Sequence, residues 1–215
     1  LSGSAQLTFT LDTVYPVVGI LSPIDNYNQT SRIVTFIANA SDTNIGACVL
    51  YTNQSGIWNI NQTNNSIGTS YNNITFNTTV PSDITFRWNV LCNDSAGNRA
   101  WNISSNTLLA NNRTVTVDTI PPLVTLDYPI NGSFSNGLLR YTPTLTVTPL
   151  DTCLLYINDT VDNTWKINST NKTATGELTS GTQFTINLSR NGVVDGSNLK
   201  AIVWCNDTLG NVNAS

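Results

Sequence analysis

Cysteine and asparagine are the residue types through which this chain can do chemistry. Four cysteines, Cys48, Cys92, Cys153 and Cys205, occur in 215 residues that contain no His. Without an imidazole, neither a Ser/His/Asp nor a Cys/His arrangement for nucleophilic catalysis can be assembled. The cysteines lie far apart, with none of the Cys-x-x-Cys spacing that zinc requires. The acidic residues are scattered among turns rather than paired as in a glycosidase, so no catalytic residue is assigned. Asp94 and Asp207 sit in matching turns, Asn93 to Asn98 and Asn206 to Asn211. An oxygen-rich turn can hold Ca²⁺, but Asp and Asn favour tight turns without a metal, and no metal is expected.

The asparagines carry the stronger pattern. Of 31, 17 begin an Asn-x-Ser/Thr acceptor: Asn28, Asn39, Asn53, Asn61, Asn64, Asn73, Asn77, Asn93, Asn102, Asn112, Asn131, Asn158, Asn168, Asn171, Asn187, Asn206 and Asn213. The Ser and Thr content would place about seven or eight there by chance. With only 10% charged residues, the surface needs another source of hydration, which sugars supply. Covalent N-linked glycans are the only non-protein group expected, and they imply an extracellular or cell-surface location. Nine Lys plus Arg against 13 acids, spread along the chain, form no basic stripe for nucleic acid. No apolar run reaches the ~20 residues of a membrane-spanning helix. The chain opens at Leu1 rather than Met, which suggests a leader already removed.

The elements that position these residues come as a repeat. At an offset of 106, Thr13 to Pro23 falls on Thr119 to Pro129. Ala47 to Asn53 then matches Thr152 to Asn158, Gly56 to Asn61 resembles Asn163 to Asn168, and Arg87 to Asn98 matches Ala201 to Asn211. Two copies of one domain of ordinary size are therefore present. Within each copy apolar residues alternate, as in Ile84, Phe86, Trp88, Val90 and Cys92, which predicts a strand with one buried face. Similar runs cover Arg32 to Ala40, Asn73 to Thr79, Thr142 to Thr148, Phe184 to Leu188 and Leu199 to Cys205. Such short strands between Asn/Gly/Ser/Asp turns predict a sandwich of about seven strands. Each copy holds one cysteine pair at matching places, read as the disulfides Cys48 with Cys92 and Cys153 with Cys205. If these segments are the C and F strands, each bond joins neighbours within one sheet.

The succession of proline junction, Leu-Tyr-x-Asn, Trp, Cys-Asn-Asp-x-x-Gly-Asn and Thr-Val-Thr-Val-Asp-Thr-x-Pro-Pro resembles the tandem immunoglobulin-like repeats of archaeal cell-surface proteins. The resemblance covers nearly the whole chain and implies fold and location more than activity. The expected fold is all-β: an N-terminal donor strand (1–13) and two immunoglobulin-like sandwiches (14–119 and 120–215).

The donor strand is inferred from the same offset. Leu7, Phe9 and Leu11 fall on Arg113, Val115 and Val117, the last strand of the first domain, and Asp12 falls on Asp118. The N-terminal segment is thus a last strand with no domain ahead of it, while after Cys205 only a few residues remain and the second domain is expected to lack that strand. An open groove and a loose apolar strand are complementary. Insertion of Leu7 to Thr13 into the second domain of another copy would give an open head-to-tail homopolymer whose partner is the chain itself. This organisation is similar to that of glycosylated archaeal threads and bundling pili. Two other readings remain open: one period of a long immunoglobulin-repeat adhesin, and a monomeric carbohydrate-binding surface module using Trp58 and Trp165. Equivalent aromatics in a repeat are more often core, and both tryptophans are expected to be buried. Pro121-Pro122 predicts a short, stiff connection.

Overall fold

The computed structural model describes residues 6–67, 73–102, 112–145, 148–159, 164–172, 180–188 and 198–214. All the regular structure among them is β, and no helix is long and apolar enough to cross a membrane. The chain divides into two units, with the main cut between Val117 and Asp118 and with Asn28–Ser31 grouped with the second unit.

In the first unit, β1 (Val17–Ser22), β3 (Ile33–Ser41) and β6 (Asn73–Thr79) form one sheet in the order β1-β3-β6. The second sheet runs β2 (Tyr27–Gln29), β9 (Arg113–Val117), β7 (Ile84–Asp94), β4 (Ile45–Thr52), β5 (Asn59–Asn64), and β8 (Arg99–Trp101) also pairs with β7. This is the A-B-E and G-F-C-C′ order of an immunoglobulin-like sandwich. Alternation places Val34, Phe36, Ala38 and Ala40 of β3 opposite Phe86, Trp88, Val90 and Cys92 of β7, all in one buried cluster. Phe36 lies with its ring centroid 4.8 Å from that of Trp88 and 6.3 Å from that of Phe86, and aromatic pairs at such distances add to simple burial.

The second unit repeats the plan. β10 (Leu123–Tyr128), β11 (Leu138–Thr144) and β14 (Phe184–Asn187) form one sheet. β13 (Trp165–Lys172), β12 (Leu150–Asp159), β15 (Leu199–Asp207) and β16 (Val212–Ala214) form the other. One expectation is corrected here. The strand predicted over Thr142 to Thr148 begins at Leu138, because Leu139 and Tyr141 supply the buried positions. Pro143 ends the three-stranded part: β14 reaches only Tyr141, so the missing N–H faces no partner strand. The residues after Cys205 also form a strand, though not one in the place of β9. Val212–Ala214 forms the short β16, the counterpart of β8, with Asn213 opposite Cys205 as Ala100 is opposite Cys92.

Both cysteine pairs are bonded within a sheet, as the strand assignment required. Cys48 and Cys92 are direct register partners on β4 and β7, and Cys153 and Cys205 on β12 and β15, with Cα atoms 4.1 Å apart in each. Such closeness is that of a directly opposed, non-hydrogen-bonded antiparallel pair.

Candidate functional site

The edge of β15 is where the two domains differ. In the first domain β7 is flanked along its lower half by β9, which pairs Val117 with Ile84, Val115 with Phe86 and Arg113 with Trp88. Val115, Val117, Phe86 and Trp88 are all buried as a result. Arg113 closes the end of this seam. Its Nη1 donates to the carbonyls of Leu21 (2.9 Å) and Pro23 (2.7 Å), and its guanidinium lies over the Trp88 ring at 5.9 Å. In the second domain β16 pairs only with Trp204, Cys205 and Asn206. Among the described residues no strand flanks Leu199 to Val203 on that side.

Counting back from the cysteine, Leu199 stands where the first domain has Phe86, and Ala201 where it has Trp88. Both face the second core but are only partly buried against it. From Leu199 to Val203, β15 is hydrogen-bonded on its β12 side and, among the described residues, open on the other.

The N-terminal segment has the opposite character. Gln6 to Pro16 adopts no ladder pairing, and Leu7, Phe9 and Leu11 are 81%, 76% and 79% exposed. Three apolar residues at alternate positions therefore lie in water, a pattern that elsewhere in this chain marks a buried strand face. Residues 1–5 of the expected donor strand lie outside the described residues.

The turn after this segment is built like the start of the second domain. The Val14 N–H donates to Asp12 Oδ1 (3.0 Å), as the Ile120 N–H donates to Asp118 Oδ1 (3.1 Å). Asn98 Nδ2 donates to the Asp12 carbonyl (3.2 Å), as Asn211 Nδ2 donates to that of Asp118 (3.0 Å). Residues 7–11 thus enter the first domain through the turn by which a last strand, β9, leads to the second. The third contact differs. Asp118 Oδ2 accepts from both the N–H and the hydroxyl of Thr148, each at 2.8 Å, whereas the corresponding residue in the first domain is Asp42.

Asp12, Asp42 and Asp94 each bring a carboxylate oxygen within 4.8 Å of the others. Asp42 Oδ2 is buried with no hydrogen-bond partner among the described residues. Burial alone would raise the Asp94 carboxyl, but the Asn98 side chain (2.7 Å) and the backbone N–H groups of Asn98, Gly97 and Ala96 hold it below the ordinary range. The matching turns around Asp94 and Asp207 owe their shape to these bonds: Asp207 accepts from Asn211 N, Asn211 Nδ2 and Leu209 N. The sequence reading missed this grouping, although Asp42 falling on Thr148 at the repeat offset was visible.

Sixteen of the 17 acceptor asparagines are exposed or half-buried. Asn158 is the exception at 2% exposure, so its amide is inaccessible in the folded chain. Others use their Nδ2 internally, among them Asn93 to the Asp94 carbonyl, Asn171 to the Tyr141 hydroxyl and Asn206 to Asp151. The expectation that Trp58 and Trp165 are core is overturned, since they are 38% and 49% exposed. Trp58 stands just before β5, on the outward face of the sheet with Tyr51 of β4 and Trp101 of β8, neither of which the sequence reading had singled out. That Trp101 directly precedes an acceptor, Asn102, was the available signal.

No protein-family model matches the chain, and no characterised protein matches it in sequence. Among solved structures it is similar to the fibronectin(III)-like modules of Clostridium thermocellum CbhA, with TM-score 0.40 and 14% identity over 93% of this chain and 90% of that one. A three-domain segment of titin gives 0.44 and 10% over 94% and 64%. A bacterial ice-binding adhesin gives 0.38 and 13% over 94% and 63%. The strand order itself makes both domains of this chain immunoglobulin-like sandwiches.

Proposed function

We propose that this protein is a structural subunit of an extracellular, N-glycosylated filament, joined head to tail by insertion of Leu7 to Thr13 of one copy along the open side of β15 in the next. The observation that carries the reading is a reciprocal change of size between strand and groove. Where the first domain pairs Arg113 and Val115 with Trp88 and Phe86, insertion in the same register pairs Leu7 and Phe9 with Ala201 and Leu199. The strand has gained apolar bulk where the sheet has lost it, with a phenyl in place of an isopropyl facing Leu199. The position that would face Leu11 lies outside the described residues. Interiors are close-packed, so summed volume at facing positions decides whether a strand fits. The two disulfides belong to a protein of an oxidising compartment, in keeping with assembly outside the cell.

A chain lacking residues 1–13 should stay dispersed at concentrations where the full chain forms filaments in negative stain. Filaments from the truncated chain would overturn the proposal. The second reading, one period of a longer repeat adhesin, is favoured by the turn at Asp12, which copies the turn between the two domains. It places the same strand in the same kind of groove within one polypeptide. Mass analysis of dissociated native material separates the two: subunits of one repeat pair mean non-covalent assembly, and a longer continuous chain means the adhesin.

A further inference from the structure

The outward face of the second sheet in the first domain carries a cluster of rings that strand insertion does not use. Tyr51 and Trp58 are nearly parallel, at 18° with centroids 6.1 Å apart. Trp101 lies tilted beside them, 4.8 Å from Tyr51 and 6.3 Å from Trp58. Ile60, paired with Tyr51 across β4 and β5, extends the patch and is largely exposed. An exposed apolar patch of this kind marks a surface that something covers.

The position of one acceptor asparagine says what that is. Asn53 lies two residues beyond Tyr51, and the Asn53 N–H donates to the Arg87 carbonyl (3.1 Å), continuing the β4 ladder. Alternation therefore puts the Asn53 and Tyr51 side chains on the same face, about 7 Å apart along the strand. Asn53 Oδ1 accepts from the Arg87 N–H at 2.6 Å, which holds the amide in place. Its Nδ2 donates no hydrogen bond among the described residues, so the atom that a sugar would modify is available. Two nearby acceptors are turned elsewhere. Asn61 accepts from the Thr78 hydroxyl on the other side of β5, and Asn93 spends its Nδ2 on the Asp94 carbonyl. In the second domain the counterpart of Asn53 is the buried Asn158.

The geometry points to Tyr51, Trp58 and Trp101 as a shelf for the chain's own N-linked glycan at Asn53. The first sugars lie with a C–H face of the pyranose on the Trp58 and Tyr51 rings, covering the patch. An aromatic ring presents a negative π-face, to which polarised sugar C–H groups are attracted, and the covalent tether removes the association cost a free sugar would meet. The inference rests on the glycoprotein reading, which it narrows to one site.

The test uses the full glycosylated chain, with Ser55→Ala removing the acceptor while leaving every ring in place. Occupancy of Asn53 is read by mass spectrometry of its peptide. Contact is read by nuclear Overhauser effects between ring protons and sugar protons. The expected result is an occupied Asn53 whose first sugar shows cross-peaks to Trp58 and Tyr51. Those peaks should be lost in Ser55→Ala, and those to ring 58 in Trp58→Ala. An occupied Asn53 without such cross-peaks, or an unmodified Asn53 among other occupied sites, overturns the inference and leaves the glycoprotein reading standing. Cross-peaks that persist in Ser55→Ala would mean that another sugar occupies the shelf and overturn it as well. Absence of sugar at every acceptor would overturn both.

Discussion

Leu199→Phe should block filament growth, and Phe9→Val should restore it. In the first domain the facing pair is Phe86 with Val115, and both are buried. In the proposed filament the pair at this place would be Leu199 with Phe9, the larger residue having moved from sheet to strand. Enlarging Leu199 while Phe9 stays sets two phenyl groups in space that the repeat elsewhere fills with one. Overpacking of this kind costs about 1–3 kcal/mol, or roughly 5- to 150-fold in affinity at 1.4 kcal/mol per decade. The reciprocal change returns the pair to the arrangement of the first domain, so the double variant should recover most of the loss.

Removing the side chain tests the same contact from the other direction. Phe9→Ala should cost about 3–5 kcal/mol of assembly if the ring is buried, a weakening of between roughly a hundred- and several thousand-fold. In the dispersed chain Phe9 is 76% exposed, so its own unfolding free energy should move by no more than about 0.5 kcal/mol. The critical concentration, from sedimentation of filaments against total protein, reads the first quantity, and urea unfolding of dispersed chain reads the second. Additive effects of Leu199→Phe and Phe9→Val in the double-mutant cycle would refute the pairing. An unchanged critical concentration in Phe9→Ala would refute insertion of this strand.

Asp42→Thr should stabilise the first domain by about 1 kcal/mol in urea unfolding, because it replaces one of three clustered carboxylates with the donor that Thr148 supplies to Asp118. Removal of Cys153 and Cys205 together as serines should cost about 4 kcal/mol in the second domain by the chain-entropy relation for a sequence separation of 52. Burial pushes the Tyr141 phenol up to about 12, against the opposing hydrogen bond from Asn171. The unfolded chain then releases its proton first above the ordinary value of 10.0, so stability should fall between pH 10 and 12 as Tyr141 absorbance at 295 nm emerges late. Asp127 is held below its ordinary 3.8 chiefly by the Thr142 hydroxyl, with Gln183 and Thr125 adding to it and burial opposing it. Its contribution is complete above pH 3.8 and disappears as pH falls through the lower folded value, and Asp127→Asn should flatten that acid limb of an unfolding profile.

The parts legible in the sequence were those fixed by local alternation. Asn73–Thr79 is a strand with the bounds its pattern gives, and Leu199–Asp207 begins where the alternation does. The cysteine partners could be read from the repeat, since one pair per copy leaves little choice. Tertiary placement was less legible. Trp58 and Trp165 look like core by their recurrence, yet both precede or open outer strands whose rings point to solvent. Asn158 satisfies the acceptor pattern as fully as Asn53, but the strand that carries it buries its side chain. The short β16 was hidden because three residues give no period to detect.

A donor strand and groove of the proposed kind would have to satisfy opposing demands, and the differences between the two copies offer a way to meet both. The strand has to bind strongly once inserted, which requires apolar residues on one face. It must not fold back into its own first domain, where β9 already fills the equivalent place beside β7. Displacing β9 from its own sheet would expose Val115 and Val117 and release Arg113 from Leu21, Pro23 and Trp88. It would also set Phe9 against Phe86 and Leu7 against Trp88, the oversized pairings that Leu199→Phe is designed to create. On the proposed insertion, the same bulk that fits Phe9 to the second domain would exclude it from the first, and specificity would arise from a difference between two copies of one fold. Growth in one direction would follow: a strand that recognises only the smaller groove would leave each added subunit presenting the same open edge as the one before it.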